Sequence, residues 1–277
     1  MGRKMTVSAV VLTLNEQKHL ADCLASLRWA DEIVVFDSFS TDATADIARQ
    51  FGARLIQRRF ENYAAQRNAA LDAVQADWIF FVDADERATP ALADEIRAIV
   101  TRAESNVSRP FDTLRAGRWT KSETSESAVV GWWVPRHNYI FGKLTLRAGW
   151  YPDYQLRLLR RGRARFDPDR HVHELALLDG GEGRLQNPLI HLNYETVPEF
   201  IAKQYKYTQY DAGMLHAQGI RAKPQNFVLQ PLRQFHWRFV THQGWRDGWH
   251  GLRLSLLMAY FQFVLYKDLA KHLRNLR

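Results

Sequence analysis

The sequence predicts an α/β fold: a mainly parallel sheet with helices on both faces, followed by a helical C-terminal extension. Three observations predict it. Short apolar runs of strand character alternate with helical spacing through the first hundred residues. Three of the four strand runs stop at polar residues, Asn15-Glu16, Asp37-Ser38 and Asp83-Ala84-Asp85. Beyond residue 196 the text turns helical, aromatic and basic.

Taken in order, residues 6–12 form a β-rich run that ends before Asn15. Residues 19–29 have helical spacing, with Leu20, Cys23, Leu24 and Leu27 on one face. Residues 32–36 form a second strand, stopping at Asp37. Residues 44–51 read as a helix closed by Gly52. A third strand covers 54–56, a helix 63–74 and a fourth strand 78–82. Pro90 opens a helix over 90–100, where its missing N–H costs nothing. Residues 103–128 are rich in Ser, Thr, Arg and Glu without periodicity and read as a flexible insertion. Residues 129–159 return to strand and turn text crowded with aromatics, including Trp132, Trp133 and Trp150. The expected division is a domain over 1–195, with a first half at 1–100 and a second at 129–195, then a helical region over 196–277. Residues 252–266 are nearly continuously apolar but too short to span a bilayer, which suits a buried helix or one lying on a membrane.

Composition excludes several classes. The 277 residues are 46% hydrophobic and 25% charged, an ordinary globular mixture and not a disordered chain. One cysteine, Cys23, excludes an intrachain disulfide and a cysteine-based zinc site. The N-terminal apolar run is cut short by Asn15-Glu16, so no secretory signal is expected. The net charge of +8 is uneven: residues 1–100 carry −4 and the remainder +12. A basic second part suits nucleic acid, an anionic membrane face or a phosphorylated substrate.

The strand ends carry the chemistry. Asp83 and Asp85 follow an apolar strand with one residue between them, a hard-oxygen pair suited to Mg²⁺ or Mn²⁺; the bland reading is an acidic helix entry. Asp37 comes too early to cap the helix at Thr44, whereas Thr41 or Asp42 can cap it. Glu16 is an N-cap acid or a nucleoside ligand, and Arg67 beside Asn68 either meets a phosphate or lies on a solvated helix face.

In this order and spacing, Thr13/Asn15/Glu16, Asp37/Ser40/Asp42/Thr44, Arg67/Asn68 and Asp83/Asp85 resemble the nucleotide-binding half of family 2 inverting glycosyltransferases with the GT-A fold. Phe39 and Ala43 stand where that family commonly has glycine. The resemblance implies that Asp37 contacts the nucleotide base, with Thr13, Asn15 and Glu16 lining the same pocket. It places Arg67 near the base or phosphates, Asp83 at the ribose or metal, and Asp85 as the principal ligand of Mg²⁺ or Mn²⁺.

In the second half, Glu174 in Arg170-His171-Val172-His173-Glu174 is the preferred catalytic base and Asp153 its rival. His173 is a candidate metal ligand or diphosphate contact. Gln155-Leu156-Arg157-Leu158 resembles a segment of the same glycosyltransferases, which gives Arg157 a diphosphate or an anionic acceptor to hold. The whole layout resembles the group of lipopolysaccharide core β-1,4-glucosyltransferases. That resemblance implies hexose transfer from a nucleotide sugar, UDP-glucose, to a lipid-linked glycan. The enzyme would lie in the cytoplasm, peripheral on the inner face of a bacterial inner membrane. Alternatives are a polyprenyl-phosphate or a capsule or exopolysaccharide transferase and, in another class, a scaffold or nucleic-acid binder. Nucleic acid is disfavoured, since acids at such a site repel phosphate.

Overall fold

The computed structural model describes residues 4–106, 129–167 and 176–274. The chain divides into two compact units. The first comprises Met1–Arg136 with Tyr154–Ile190, the second His137–Asp153 with His191–Arg277.

The alternation holds in the first unit. Its elements begin β1 (Val7–Thr13), α1 (Leu20–Ser26), β2 (Glu32–Asp37), α2 (Thr44–Gln50), β3 (Arg54–Gln57), α3 (Tyr63–Ala73) and β4 (Trp78–Asp83). Along the chain there follow β5 (Glu86–Ala88), α4 (Pro90–Asn106), β6 (Val129–Ile140), β7 (Lys143–Leu144), β8 (Asp153–Arg160), β9 (Ala164–Phe166), β10 (Ala176–Leu178), β11 (Gly181–Arg184) and β12 (Leu189–Tyr194), of which β7, the end of β6 and most of β12 belong to the second unit. Strands β3, β2, β1 and β4 lie side by side in that order, all parallel. β8 then runs antiparallel to β4, so the sheet is mixed. Alternate side chains face opposite layers. Val7, Ala9, Val11, Val35, Phe80 and Val82 pack under α1, α2 and α4. Val10, Val34, Phe36, Ile79 and Phe81 pack with α3 residues Ala70 and Leu71. A strand buried on both faces has to be apolar throughout, which is why these runs show no alternation.

Several boundaries differ from expectation. The helix expected over 19–29 covers only Leu20–Ser26. The helix from Pro90 continues to Asn106, past the expected start of the insertion at 103; residues 107–128 lie outside the described residues. Residues after Asp83 enter the short strand β5 and not a helix, which removes the helix-entry reading of the acids. Gly52 does close α2, at φ +70°, a conformation open to glycine.

The second unit holds α5 (Val197–Ala217), α6 (Asn226–His236), a π-helical turn (Trp237–Thr241), a 3-10 turn (Gly244–Asp247) and α7 (Gly248–Arg274). Its core gathers Ile140, Tyr194, Phe200, Leu254, Phe261 and Val264. Residues 137–153 fall in this unit and not with the expected domain over 1–195. The reason is hydrogen bonding. Ala148 N–H donates to His242 O at 3.0 Å, Arg147 N–H donates to Asp247 Oδ2 at 3.2 Å, and Thr145 Oγ1 lies 2.9 Å from His250 Nε2. Within 252–266, Leu254, Phe261 and Val264 are buried, while Leu256 and Tyr260 are exposed. Among the described residues, no helix is long and apolar enough to cross a membrane.

Candidate active site

The chain order places a topological switch at the β1/β4 boundary, because β2 and β3 extend the sheet on one side of β1 and β4 lies on the other. In open α/β sheets, ligands bind beyond the carboxyl ends of strands at such a point. The register sets Thr13 opposite Asp37 and Leu12 opposite Asp83. The three strand ends singled out in the sequence therefore share one edge.

The first two motifs interlock. Asp37 is fully buried and accepts from Thr13 Oγ1 at 3.2 Å, Ser40 N at 3.0 Å, Gln57 Nε2 at 3.0 Å and the Ser40 hydroxyl. Asn15 N–H donates to Ser40 Oγ at 2.8 Å, and its side-chain carbonyl accepts from Thr41 N at 2.8 Å. Glu16 N–H donates to Thr44 Oγ1 at 2.8 Å, and Gln17 N–H to Asp42 Oδ2 at 3.1 Å. Asp42 also takes Thr44 N–H at 3.0 Å, but it stands one residue before the N-cap, Ala43, and not at the capping position expected of it or of Thr41. Burial works against its charge, yet these donated bonds hold its carboxyl below the usual range. The spacing of both motifs thus has a local explanation: each residue of one loop bonds to the other. Asp37, expected to meet a base, has its four acceptor positions filled from within the protein. A base would have to displace a hydroxyl that can rotate away, that of Thr13 or Ser40.

Asn15 and Phe39 adopt left-handed backbone, at φ +58° and +62°. Asparagine tolerates this; phenylalanine does so at a cost of about 1–2 kcal/mol. Phe39 is half exposed. Phe39→Gly is therefore expected to raise stability by about 0.5–1 kcal/mol, the extra freedom of glycine in the unfolded chain offsetting part of the relief. A thermal melt checks this, and a lowered midpoint would mean that the ring itself packs.

The third strand end is an ion-pair cluster. Arg157 on β8 is buried and forks onto Asp83: Nη1 donates to Oδ1 at 3.2 Å and Nη2 to Oδ2. The same Nη2 donates to Glu86 Oε1 at 2.7 Å, and Arg136 Nη1 reaches that oxygen at 3.2 Å. Glu86, itself fully buried, accepts Asp83 N–H at 2.9 Å, which closes the bend between β4 and β5. Burial opposes ionisation of Asp83, but the guanidiniums of Arg157, Arg67 and Arg136 pull its carboxyl well below the ordinary range. Arg67 lies 4.0 Å from Asp83 and covers the Phe166 ring at 5.4 Å. Asn68 is structural: it pairs with the Phe166 backbone in both directions, at 2.9 and 2.8 Å.

Arg157, expected to hold a diphosphate or an anionic acceptor, is paired within the protein. With its guanidinium buried and committed to two carboxylates, it positions Asp83 and Glu86, and a phosphate would have to compete with both. Glu86 and Arg136 carried no role in the sequence reading. Glu86 had a signal, as an acid directly beyond Asp83-Ala84-Asp85; Arg136 had none. Cys23 is buried, its thiol pushed up by that burial, and it donates to Asp83 O at 3.6 Å. It serves the fold and not nucleophilic chemistry.

Glu174 and His173 lie outside the described residues. Asp153 belongs to the second unit, where Asn138 Nδ2 donates to its Oδ2 at 3.0 Å. Asn138 is itself buried and held by His191, whose Nδ1 lies 2.7 Å from Asn138 Oδ1.

A divalent cation fits the carboxylate set in type. Asp83 and the half-buried Asp85 supply only hard oxygens, the donors preferred by Mg²⁺ and Mn²⁺. Among the described residues, no group of three His, Cys, Asp or Glu side chains is arranged to hold a metal. Mg²⁺ is usually bound by one or two carboxylates plus substrate phosphates and water, so two acids can suffice once a diphosphate is present.

The model of glycosyl transferase family 2 matches residues 8–154, more than half of the chain. The lipopolysaccharide core biosynthesis glycosyltransferase LpsC of Rhizobium meliloti is 28% identical over 272 residues, 94% of this chain and 90% of that one. An uncharacterized glycosyltransferase of Rickettsia felis is 39% identical over 94 residues, 34% of this chain and 33% of that one. Among solved structures, S. aureus TarS 1-349 is 15% identical, with a TM-score of 0.41 over 99% of this chain and 92% of that one. With the family model covering the strand-end motifs and the sheet that carries them, the chain belongs to glycosyl transferase family 2 and is a glycosyltransferase.

Proposed function

We propose that this enzyme moves a hexose, glucose from UDP-glucose, onto a hydroxyl of a lipid-linked glycan, with lipopolysaccharide inner core as the acceptor. The near full-length similarity to a lipopolysaccharide core glycosyltransferase carries the choice of acceptor. The acid-ended strands at the β1/β4 switch support the donor site.

In this reading Thr13, Asn15, Glu16 and Asp37 form the base and ribose pocket, and Arg67 faces the phosphates. Asp85, with Asp83, would hold Mg²⁺ or Mn²⁺, which when bound neutralises the diphosphate leaving group. Arg157 keeps Asp83 ionised and aimed. The acceptor hydroxyl attacks the anomeric carbon from the face opposite the diphosphate. As the new C–O bond forms, the bond to the diphosphate breaks and its electron pair leaves with the nucleotide. Glu174 takes the hydroxyl proton, and His173 lies beside it in sequence to meet the metal or diphosphate.

Calorimetry with UDP and UDP-glucose, with and without Mn²⁺, tests the donor half. Wild type is expected to bind UDP in a metal-dependent way. Asp85→Ala should weaken that metal-dependent binding by at least about 10–100-fold, the loss that follows removal of even an outer-shell partner of a bound metal. A folded wild-type protein that binds no nucleotide would sink the proposal.

A further inference from the structure

The second unit exposes an apolar face that its own core does not use. Helix α6 has no buried residue. On one side Phe227 packs edge-on against Phe263 of α7, with ring centroids 5.8 Å apart. On the other, Val228, Leu229, Leu232 and His236 fall within an arc of about 100° at helical spacing, and the three aliphatic side chains are 53–60% exposed. The π-helical turn continues the chain with exposed Trp237 and Val240. Leu229, Leu232, Arg233, His236, Trp237 and Thr241 line an open groove of about 400 Å³.

Charge identifies the occupant. From residue 212 to 246 the chain has five cations and no acid. Arg221, Lys223, Arg233 and Arg246 are exposed, and Arg246 covers the exposed Trp245 ring at 5.3 Å. The nearest following acid, Asp247, is turned to the backbone N–H of Arg147 at 3.2 Å. A second copy seated on this face would set like charges against each other. An apolar stripe flanked by arginine, lysine and tryptophan matches the interface of a bilayer with anionic headgroups.

We infer that α6 and the π-helical turn dock on an anionic phospholipid surface, with Val228, Leu229 and Leu232 entering the acyl boundary and Arg221, Lys223 and Arg233 meeting phosphates. This deepens the proposed lipid-linked acceptor reading, but its test is separate from it: vesicle binding reports this face, whereas UDP titration reports the nucleotide site.

The test is flotation of the full chain with vesicles of phosphatidylglycerol in phosphatidylcholine, at roughly 30 mol% so that the surface potential is substantial, against pure phosphatidylcholine. Wild type is expected to float with the anionic vesicles, and less so as salt is raised. Leu229→Glu with Leu232→Glu should cut partitioning at least tenfold while UDP binding and circular dichroism stay as in wild type. Arg221→Ser with Lys223→Ser, which leaves the helix itself intact, should cut it about fivefold per cation removed. Three outcomes overturn the inference: no binding of wild type to anionic vesicles, equal binding to neutral ones, or unchanged binding by both variants. A wild-type dimer in sedimentation that the leucine variant dissolves would also overturn it, making a second copy the occupant.

Discussion

Replacing Arg157 by methionine is expected to destabilise the first unit by about 3–5 kcal/mol, the usual loss when one partner of a buried ion pair is removed. The physical reason is what stays behind. Glu86 is fully buried, and Asp83 sits on the bend that Glu86 closes. Without the guanidinium, both carboxylates lose their main counter-charge. Arg136 remains 3.2 Å from Glu86, which favours the lower end of that range. Arg157→Lys should recover only part, because a single ammonium cannot fork onto Asp83 while holding Glu86. Adding Glu86→Gln to Arg157→Met should recover part as well, since one uncompensated charge is then gone. A double-mutant cycle by denaturant unfolding checks the coupling. A loss under about 1 kcal/mol, the scale of an exposed pair, would mean that the cluster does not hold the strand end.

Glu174→Gln is expected to lower kcat on the order of 10²–10⁴-fold, the range for losing a general base. UDP binding should be nearly unchanged, since a base that meets only the acceptor makes no contact with the nucleotide. Asp153→Asn is the control. Asp153 already accepts the Asn138 amide, which His191 holds in place, so the substitution costs a hydrogen bond in the second unit. It should not remove the proton acceptor. Steady-state rates and UDP titrations on both variants separate the readings. A large kcat loss in Asp153→Asn alone would transfer the role of base to Asp153. A mild effect in both would point to an acceptor that is already ionised, such as a polyprenyl phosphate, which needs no base.

Much of the first unit was legible because its strands are buried on both faces. Residues 78–82 must be apolar throughout to lie between two helical layers, so their text stands out. The strand ends were legible for the opposite reason: Asp37 and Asp83 interrupt apolar runs where the chain reaches the sheet edge. The motif spacings were visible too, but not their cause. That Asn15 bonds Ser40 and Thr41, and Glu16 bonds Thr44, follows from parallel pairing of β1 with β2, which brings together loops 25 or more residues apart. The boundary after residue 136 was not legible, because the hydrogen bonds of residues 145–148 to the C-terminal turns and helix span about a hundred positions.

The family rests on motifs that resemble it and on the family model that matches; by itself, the sequence determined the alternating α/β order and the three acidic or amide strand ends. It determined these through burial pattern and local spacing, which depend on neighbours in the chain. Only the tertiary structure decided what those residues do to one another. It made Arg157 the buried partner of Asp83 and Glu86, gave Arg136 a place beside them, and left one face of α6 uncovered. Such outcomes depend on which side chains distant segments bring within about 3 Å, where a charge taken out of water must find its partner in the fold.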